Sequence, residues 1–283
     1  MLFLTLSWGM NWAVLKIGAS QLPPLWFRII GLVLGTAILG VVLIVRRVPL
    51  RPPRGAFGTL IAISLPNVVM WYSLVTIAIT MLPAGRAAIL GFSMPAWAAL
   101  IGYFVYRERL AWPTIVGVVA ALAGVVLLVS DDFHELAAHP LGVTLMLVAS
   151  IGWGLGTHLL SRAKLSMDTL ALTFWMMLIA CPCLLAMSAV LEMPHWRMPH
   201  GVEWWPILYN AVIVLAIGNL IWFTVARTLP PVAAGLSSML IPVVGVFSGF
   251  AMLGEHPGWR DYGALVLVSI AVGVGLLPKS GRR

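Results

Sequence analysis

Residues 82–112 read LPAGRAAILGFSMPAWAALIGYFVYRERLAW, and residues 229–259 read LPPVAAGLSSMLIPVVGVFSGFAMLGEHPGW. At a fixed offset of 147 residues, Leu82-Pro83, Pro95, Gly102, Glu108 and Trp112 return as Leu229-Pro230, Pro242, Gly249, Glu255 and Trp259. Five landmarks hold one register without a gap, and the residues between them are apolar in both copies. In a hydrophobic chain this pattern points to a duplicated helical bundle. The two copies imply five-helix repeats over residues 1–138 and 139–283, within a single membrane domain.

Composition sets the solvent. Hydrophobic residues make up 61% of the chain, charged residues 9%, and the mean hydropathy is +1.02. A soluble domain carries about 25% charged residues. Too little polar surface exists here to cover a water-facing globule, so the expected fold is an all-α integral membrane protein. The net charge of +8 does not signal nucleic-acid binding, because the 17 basic residues sit in short gaps between apolar runs. Cys181 and Cys183 flank Pro182 inside one such run. With no second thiol pair or His-rich tract, they read as the borders of a proline kink rather than a metal site.

A hydrocarbon core of about 30 Å takes roughly 20 apolar residues per helix. Ten spans are expected: Leu2 to Ile17, Leu25 to Val45, Phe57 to Thr80, Gly85 to Tyr106, Trp112 to Val129, Leu141 to Leu160, Thr169 to Val190, Trp205 to Ala226, Val232 to Leu253 and Trp259 to Leu277. The first carries Trp8, Asn11 and Trp12 at its centre and no cleavage site follows, so it is a permanent helix, not a signal peptide. Its missing lead-in points to a trimmed N-terminus.

Alternate loops hold twelve Lys and Arg on one side and five on the other, which places both termini in the cytoplasm. Five spans per repeat is an odd number. The second repeat therefore enters the membrane from the opposite face, and exchanging the repeats' conformations converts an outward-open state into an inward-open one.

Polar groups inside spans are costly beside lipid and should face the bundle interior. Trp8, Asn11 and Trp12 fall at i, i+3 and i+4, on one helix face. Asn67 lies one turn from Trp71, with Tyr72 adjacent; Ser93 lies one turn from Trp97; Trp153 is followed by Thr157 and His158; Asn219 precedes Trp222. Together these form a candidate substrate cavity with aromatic walls, suited to a neutral or zwitterionic solute with an apolar side chain. Tryptophans at span ends (Trp26, Trp112, Trp196, Trp204, Trp205 and Trp259) read instead as interfacial anchors. Pro83, Pro95, Pro230 and Pro242 are candidate kinks or gates. Arg86 is a candidate partner for a substrate carboxylate, though snorkelling to headgroups competes for it, as it does for Arg28 and Lys16. Gly31, Gly35, Ala98, Gly102, Gly245 and Gly249 read as packing notches, and Glu108 and Glu255 as caps on the helices that follow them.

None of the nine carboxylates lies well inside a span, and His158 is the one in-span histidine. Facilitated movement is thus expected over obligatory proton coupling. No nucleophile, carboxylate pair or metal cluster suggests an enzyme or a cofactor. Scattered polar singles do not form the ring of a channel.

The Trp8-Gly9 and Asn11 opening, Arg28 early in the second span, the Ala84-Gly85-Arg86-Ala87-Ala88 run, Pro95 and the Glu108 turn resemble the drug/metabolite transporter superfamily, and within it the EamA-type ten-helix exporters. The resemblance covers nearly the whole chain. It implies a bacterial inner-membrane carrier, functional as a monomer, with a central cavity between the repeats and transport by alternating access. The chain is also similar to the YddG-type exporters of aromatic amino acids and methionine. Arg86 is matched by Ala233 in the second copy, so a carboxylate clamp would be one-sided. A second reading stays open: a multidrug or other metabolite exporter of the same superfamily, coupled to protons through His158. Nucleotide-sugars are disfavoured, because their phosphates want several in-span Lys or Arg.

Overall fold

A computed structural model describes residues 2–131, 140–229 and 240–275. Every regular element among them is helical. The helices are α1 (Leu2–Gln21), α2 (Pro24–Val45), α3 (Ala56–Ser64), α4 (Trp71–Ala78), α5 (Ala84–Gly91), α6 (Met94–Phe104), α7 (Trp112–Asp131), α8 (Pro140–Arg162), α9 (Thr169–Glu192), α10 (Trp204–Leu208), α11 (Asn219–Thr228), α12 (Ile241–Leu253) and α13 (Trp259–Gly275). Six stretches are long and apolar enough to cross a bilayer: Pro24–Val45, Ala56–Ala78, Ala84–Phe104, Pro140–Arg162, Thr169–His195 and Gly201–Thr228. Trp112–Leu127 and Ile241–Leu253 are shorter apolar helices. Pro230, a candidate gate, lies outside the described residues, as do Ala233 and the loop acids near residue 132.

Prolines set the breaks. Pro95 has no N–H to return to Gly91, so the helix stops there and restarts at Met94, with Phe92 and Ser93 between α5 and α6. Pro83 is the N-cap of α5 and Pro242 lies in the first turn of α12, positions where the missing N–H costs nothing. Between α3 and α4 the chain widens into a π-helical segment, Leu65–Met70, that contains Pro66 and Asn67. A second, Tyr209–Gly218, joins α10 to α11. The two overlap at the 147-residue offset, and such widened turns occur mostly at functional sites. Sequence reading did not anticipate them. Helix α9, by contrast, runs unbroken through Pro182.

The landmark turns also repeat in space. Arg107 and Gly254 both adopt left-handed backbone, with φ of 54° and 67°. The next residue in each case is a glutamate whose N–H returns to a carbonyl six residues back: Glu108 to Gly102 at 2.9 Å, Glu255 to Gly249 at 3.3 Å. This helix-ending turn satisfies carbonyls that the last turn leaves free. It also corrects the reading of two glycines as helix–helix notches. A Cβ on Gly102 would stand 2.7 Å from Glu108 Oε2, and one on Gly249 2.5 Å from Glu255 Oε2. Those glycines make room for a carboxylate.

The glutamates do not cap the helices that follow them. Glu255 accepts from the N–H groups of Ala84 (2.7 Å) and Gly85 (3.2 Å), at the start of α5, and Glu192 does the same for Leu25 and Trp26 at the start of α2. Packing crosses between halves. Gly9 lets α1 lie against Val244 of α12, and Gly154 lets α8 pack on the backbone of Ala98 in α6, where an added Cβ would stand 2.9 Å from the Ala98 nitrogen. Helix α2 packs on α9 and α7 on α13. A Cβ on Gly35 would stand 2.9 Å from the Ala211 carbonyl oxygen, a notch of the expected kind. Of the interfacial tryptophans, Trp112 and Trp259 are 73% and 69% exposed.

Candidate functional site

Helices α1, α4, α8 and α11 converge on a cluster of indoles. Trp153 lies 6.1 Å from Trp8, 4.8 Å from Trp71 and 5.7 Å from Trp222, centroid to centroid, and Trp8 lies 5.8 Å from Trp222. Trp12 meets Phe92 edge-on at 6.3 Å. Beside the cluster runs a narrow cleft of about 30 Å³, lined by Trp8, Asn11, Trp12, Leu15, Trp71, Tyr72, Val75, Phe92 and Val214. That is room for roughly two water molecules, so the cleft is narrow between its aromatic walls in this conformation.

Each side chain is set by its helix. The i, i+3, i+4 spacing puts Trp8, Asn11 and Trp12 on one face of α1, and Gly245 and Gly91 give Trp12 the space it fills. Gly218 takes the edge of Trp8, and Gly156 admits Asn67. Tyr72 donates to Asn219 Oδ1 at 2.6 Å, joining two residues exactly one repeat offset apart.

The cluster is incompletely satisfied. Trp8, Trp153 and Trp222 Nε1, Asn11 and Asn67 Oδ1 and Asn219 Nδ2 are buried without a hydrogen-bond partner among the described residues. Native interiors leave few such groups, and each one costs the desolvation of a donor or acceptor. Of the six, Trp8 and Asn11 line the cleft, while Asn67, Trp153, Asn219 and Trp222 do not.

The remaining candidates lie elsewhere. Thr157 returns its hydroxyl to the Trp153 carbonyl at 2.9 Å, and Trp97 donates to Ser93 Oγ at 3.1 Å; neither lines the cleft. His158 is fully buried at one end of the bundle. Its Nε2 lies 2.7 Å from the Ala98 carbonyl and its Nδ1 3.0 Å from Arg162 Nη1. That pairing assigns the neutral tautomer with the proton on Nε2. Arg162 also pairs with Glu108 and stacks 3.9 Å over Tyr106, whose ring in turn stacks on His158 at 5.0 Å.

A second charged group closes the other end. Lys16 donates to the Leu82 carbonyl at 2.7 Å and lies 3.4 Å from Glu255 Oε1. Next to it Arg86 faces Asp261 at 3.3 Å, along a cavity of about 210 Å³ that also touches Pro83 and His256. Arg86 therefore sits outside the indole cluster and already has a carboxylate beside it.

Sequence reading missed Arg28, treating it as a headgroup-seeking side chain. It is 2% exposed, donating from Nε to Thr76 Oγ1 at 2.8 Å and from Nη1 to Asn210 Oδ1 at 2.9 Å, with its Cζ 4.9 Å over the Tyr72 ring. A helix apolar on every side gives no signal of which face turns inward. The one available hint was an arginine placed inside a span without a lipid-facing reason. Leu15, Val75, Phe92 and Val214 were also missed, since apolar lining is invisible in an apolar chain.

A helical bundle of long apolar segments with an aromatic cleft between them is consistent with a membrane transporter. The chain belongs to the EamA-like transporter family, which it matches over residues 1–130 and 140–277. It is 24% identical over 258 residues to the uncharacterized transporter YoaV of Bacillus subtilis, covering 89% of this chain and 87% of that one. A probable amino-acid metabolite efflux pump of Escherichia coli is 25% identical over 279 residues, covering 95% and 91%. The uncharacterized inner membrane transporter YedA of Escherichia coli is 26% identical over 278 residues, covering 96% and 89%. A chain solved by crystallography superimposes with a TM-score of 0.73 at 18% identity, over 97% of this chain and 95% of that one, a likeness of fold alone.

Proposed function

We propose that this protein is a secondary carrier that exports small neutral or zwitterionic metabolites, amino acids with aromatic or methionine side chains foremost, by alternating access. The observation that carries the reading is the central cleft, where an indole wall and unpartnered amide and N–H groups offer both halves of such a solute a complement. Two relatives named as amino-acid metabolite efflux pumps support it.

In this reading the halves, 1–138 and 139–283, are inverted repeats, the protein works as a monomer in the bacterial inner membrane, and both termini are cytoplasmic. The crossed packing of α1 on α12 and α8 on α6 is what an exchange of equivalent helices between halves would give. The ion pairs act as end closures. Lys16 of α1 reaches Glu255 in the other half, and Arg162 of α8 reaches Glu108 in the other half. Breaking one pair while keeping the other opens the cleft to one face at a time.

Transport runs down the solute gradient. His158 lies away from the cleft, with its Nε2 at the Ala98 carbonyl and its Nδ1 between Arg162 (3.0 Å) and Glu108 (3.9 Å), which speaks for a structural role at the end of the bundle. Purified protein in liposomes is expected to equilibrate tritiated phenylalanine or methionine with saturable kinetics and no imposed pH gradient. Uphill accumulation that needs a proton gradient would reverse the reading and make His158 its first suspect.

A further inference from the structure

We propose that Arg28, stacked on cleft-lining Tyr72, and the unpaired N–H donors of the indole cluster beside the cleft form a receptor for a carboxylate, so that the solute is selected by its anionic group as strongly as by its apolar body. The inference rests on the carrier reading above and specifies what the carried solute must bear.

The first observation is a buried cation without a counter-ion. Arg28 is 2% exposed, and its partners Thr76, Asn210 and Tyr72 are all neutral. Among the described residues no carboxylate pairs with it, whereas Lys16, Arg86, Arg162 and Arg197 each have one. A guanidinium held away from water is expensive unless an anion answers it. Its position is also telling. Thr76 follows cleft-lining Val75 and lies one turn from Tyr72, and Asn210 lies one turn from Val214. Arg28 enters on the first turns of α2, beside the end closed by Lys16 and Glu255. It does not line the cleft itself but lies 4.9 Å over the ring of Tyr72, which does.

The second observation is independent of charge. Of the six unpartnered groups in and beside the indole cluster, of which Trp8 and Asn11 line the cleft, four are donors (Nε1 of Trp8, Trp153 and Trp222, and Nδ2 of Asn219) and two are acceptors (Oδ1 of Asn11 and Asn67). The Tyr72 hydroxyl fixes the orientation of Asn219 by donating to its oxygen, which leaves the amide N–H₂ free. A donor surplus beside a lone cation asks for a guest rich in acceptors. A carboxylate supplies up to four lone-pair sites and one negative charge. The two free amide oxygens and the indole faces are left for an ammonium group, which makes the whole set complementary to a zwitterion. Arg86 does not compete for this role, because Asp261 faces it at 3.3 Å.

The test uses matched solutes that differ in the carboxylate: phenylalanine against phenethylamine, and benzoate against benzyl alcohol, each labelled and followed into proteoliposomes with passive leak subtracted. The wild-type carrier is expected to move the carboxylate member of a pair about 10- to 100-fold more efficiently, the range set by a charge-assisted hydrogen bond. Arg28→Gln should shrink that ratio to about threefold or less and Arg28→Lys should recover part of it. Trp222→Phe, which removes one N–H and keeps the ring, should lower the ratio several-fold with the protein still monodisperse. If Arg28→Gln slows both members equally, Arg28 is a strut and the inference falls. Equal flux of both members in the wild type also overturns it, while leaving the carrier reading intact. Preference for benzoate with no flux of phenylalanine would instead sustain the carboxylate and remove the amino acid. Failure of every carboxylate member to lead its partner, including absence of flux, counts against the inference.

Discussion

Replacing Trp153 by alanine is expected to cut solute flux by about 10- to 100-fold with membrane abundance held constant. Trp153 is the hub of the indole cluster, within 6.1 Å of Trp8, Trp71 and Trp222, and only 2% of it is exposed. Each aromatic pair is worth about 0.5–1.5 kcal/mol beyond the area it buries, so losing three removes roughly 1.5–4 kcal/mol of wall and guest contact together. Truncating a buried Trp also costs about 3–5 kcal/mol of folding stability, so flux must be normalised to folded carrier. Trp153→Phe keeps most of the wall and should retain most of the flux. Trp112→Ala, at a 73% exposed position, should stay within about twofold of wild type. Undiminished flux in Trp153→Ala would remove the cluster from the transport path.

The second large effect concerns the ends. Glu255 holds Lys16 and the N–H groups of Ala84 and Gly85 through one carboxylate, while Glu108 holds Arg162. Neutralising either leaves its cation unanswered. Because these groups are partly exposed, the cost is about 1–2 kcal/mol, a shift of roughly 5- to 30-fold in the balance between closed and open ends. A cysteine placed at cleft-lining Val75, after Cys181 and Cys183 are changed to serine, reports that balance through its rate of maleimide labelling. E255Q should speed labelling from one face of the membrane and E108Q from the other. Acceleration from the same face by both variants would contradict their assignment as opposite closures.

Much of this was legible because a bilayer makes polar residues conspicuous. The Pro, Gly and Glu landmarks reappear as a helix break, a seat for a carboxylate and an ion pair that links the two halves. In-span Trp8, Trp71, Trp153 and Trp222 assemble at the centre because burying an indole N–H in lipid has no other reward. Long-range partners were not legible. Glu255 caps a helix that starts 171 residues earlier in the chain, and Arg28 meets Asn210 across a separation of 182. Nothing local in the sequence encodes those meetings. The widened segments around Asn67 and Asn210 were equally hidden, since a single extra residue per turn leaves hydropathy unchanged.

Arg109 and His256, both exposed and 147 residues apart, occupy equivalent places in the two landmark turns. With the native cysteines replaced, Arg109→Cys and His256→Cys are to be labelled in intact cells with a membrane-impermeant maleimide. Oppositely oriented halves predict that His256→Cys reacts from outside, while Arg109→Cys reacts only after the membrane is opened. Reaction of both positions from the same side would contradict the inverted arrangement, and with it the basis for alternating access.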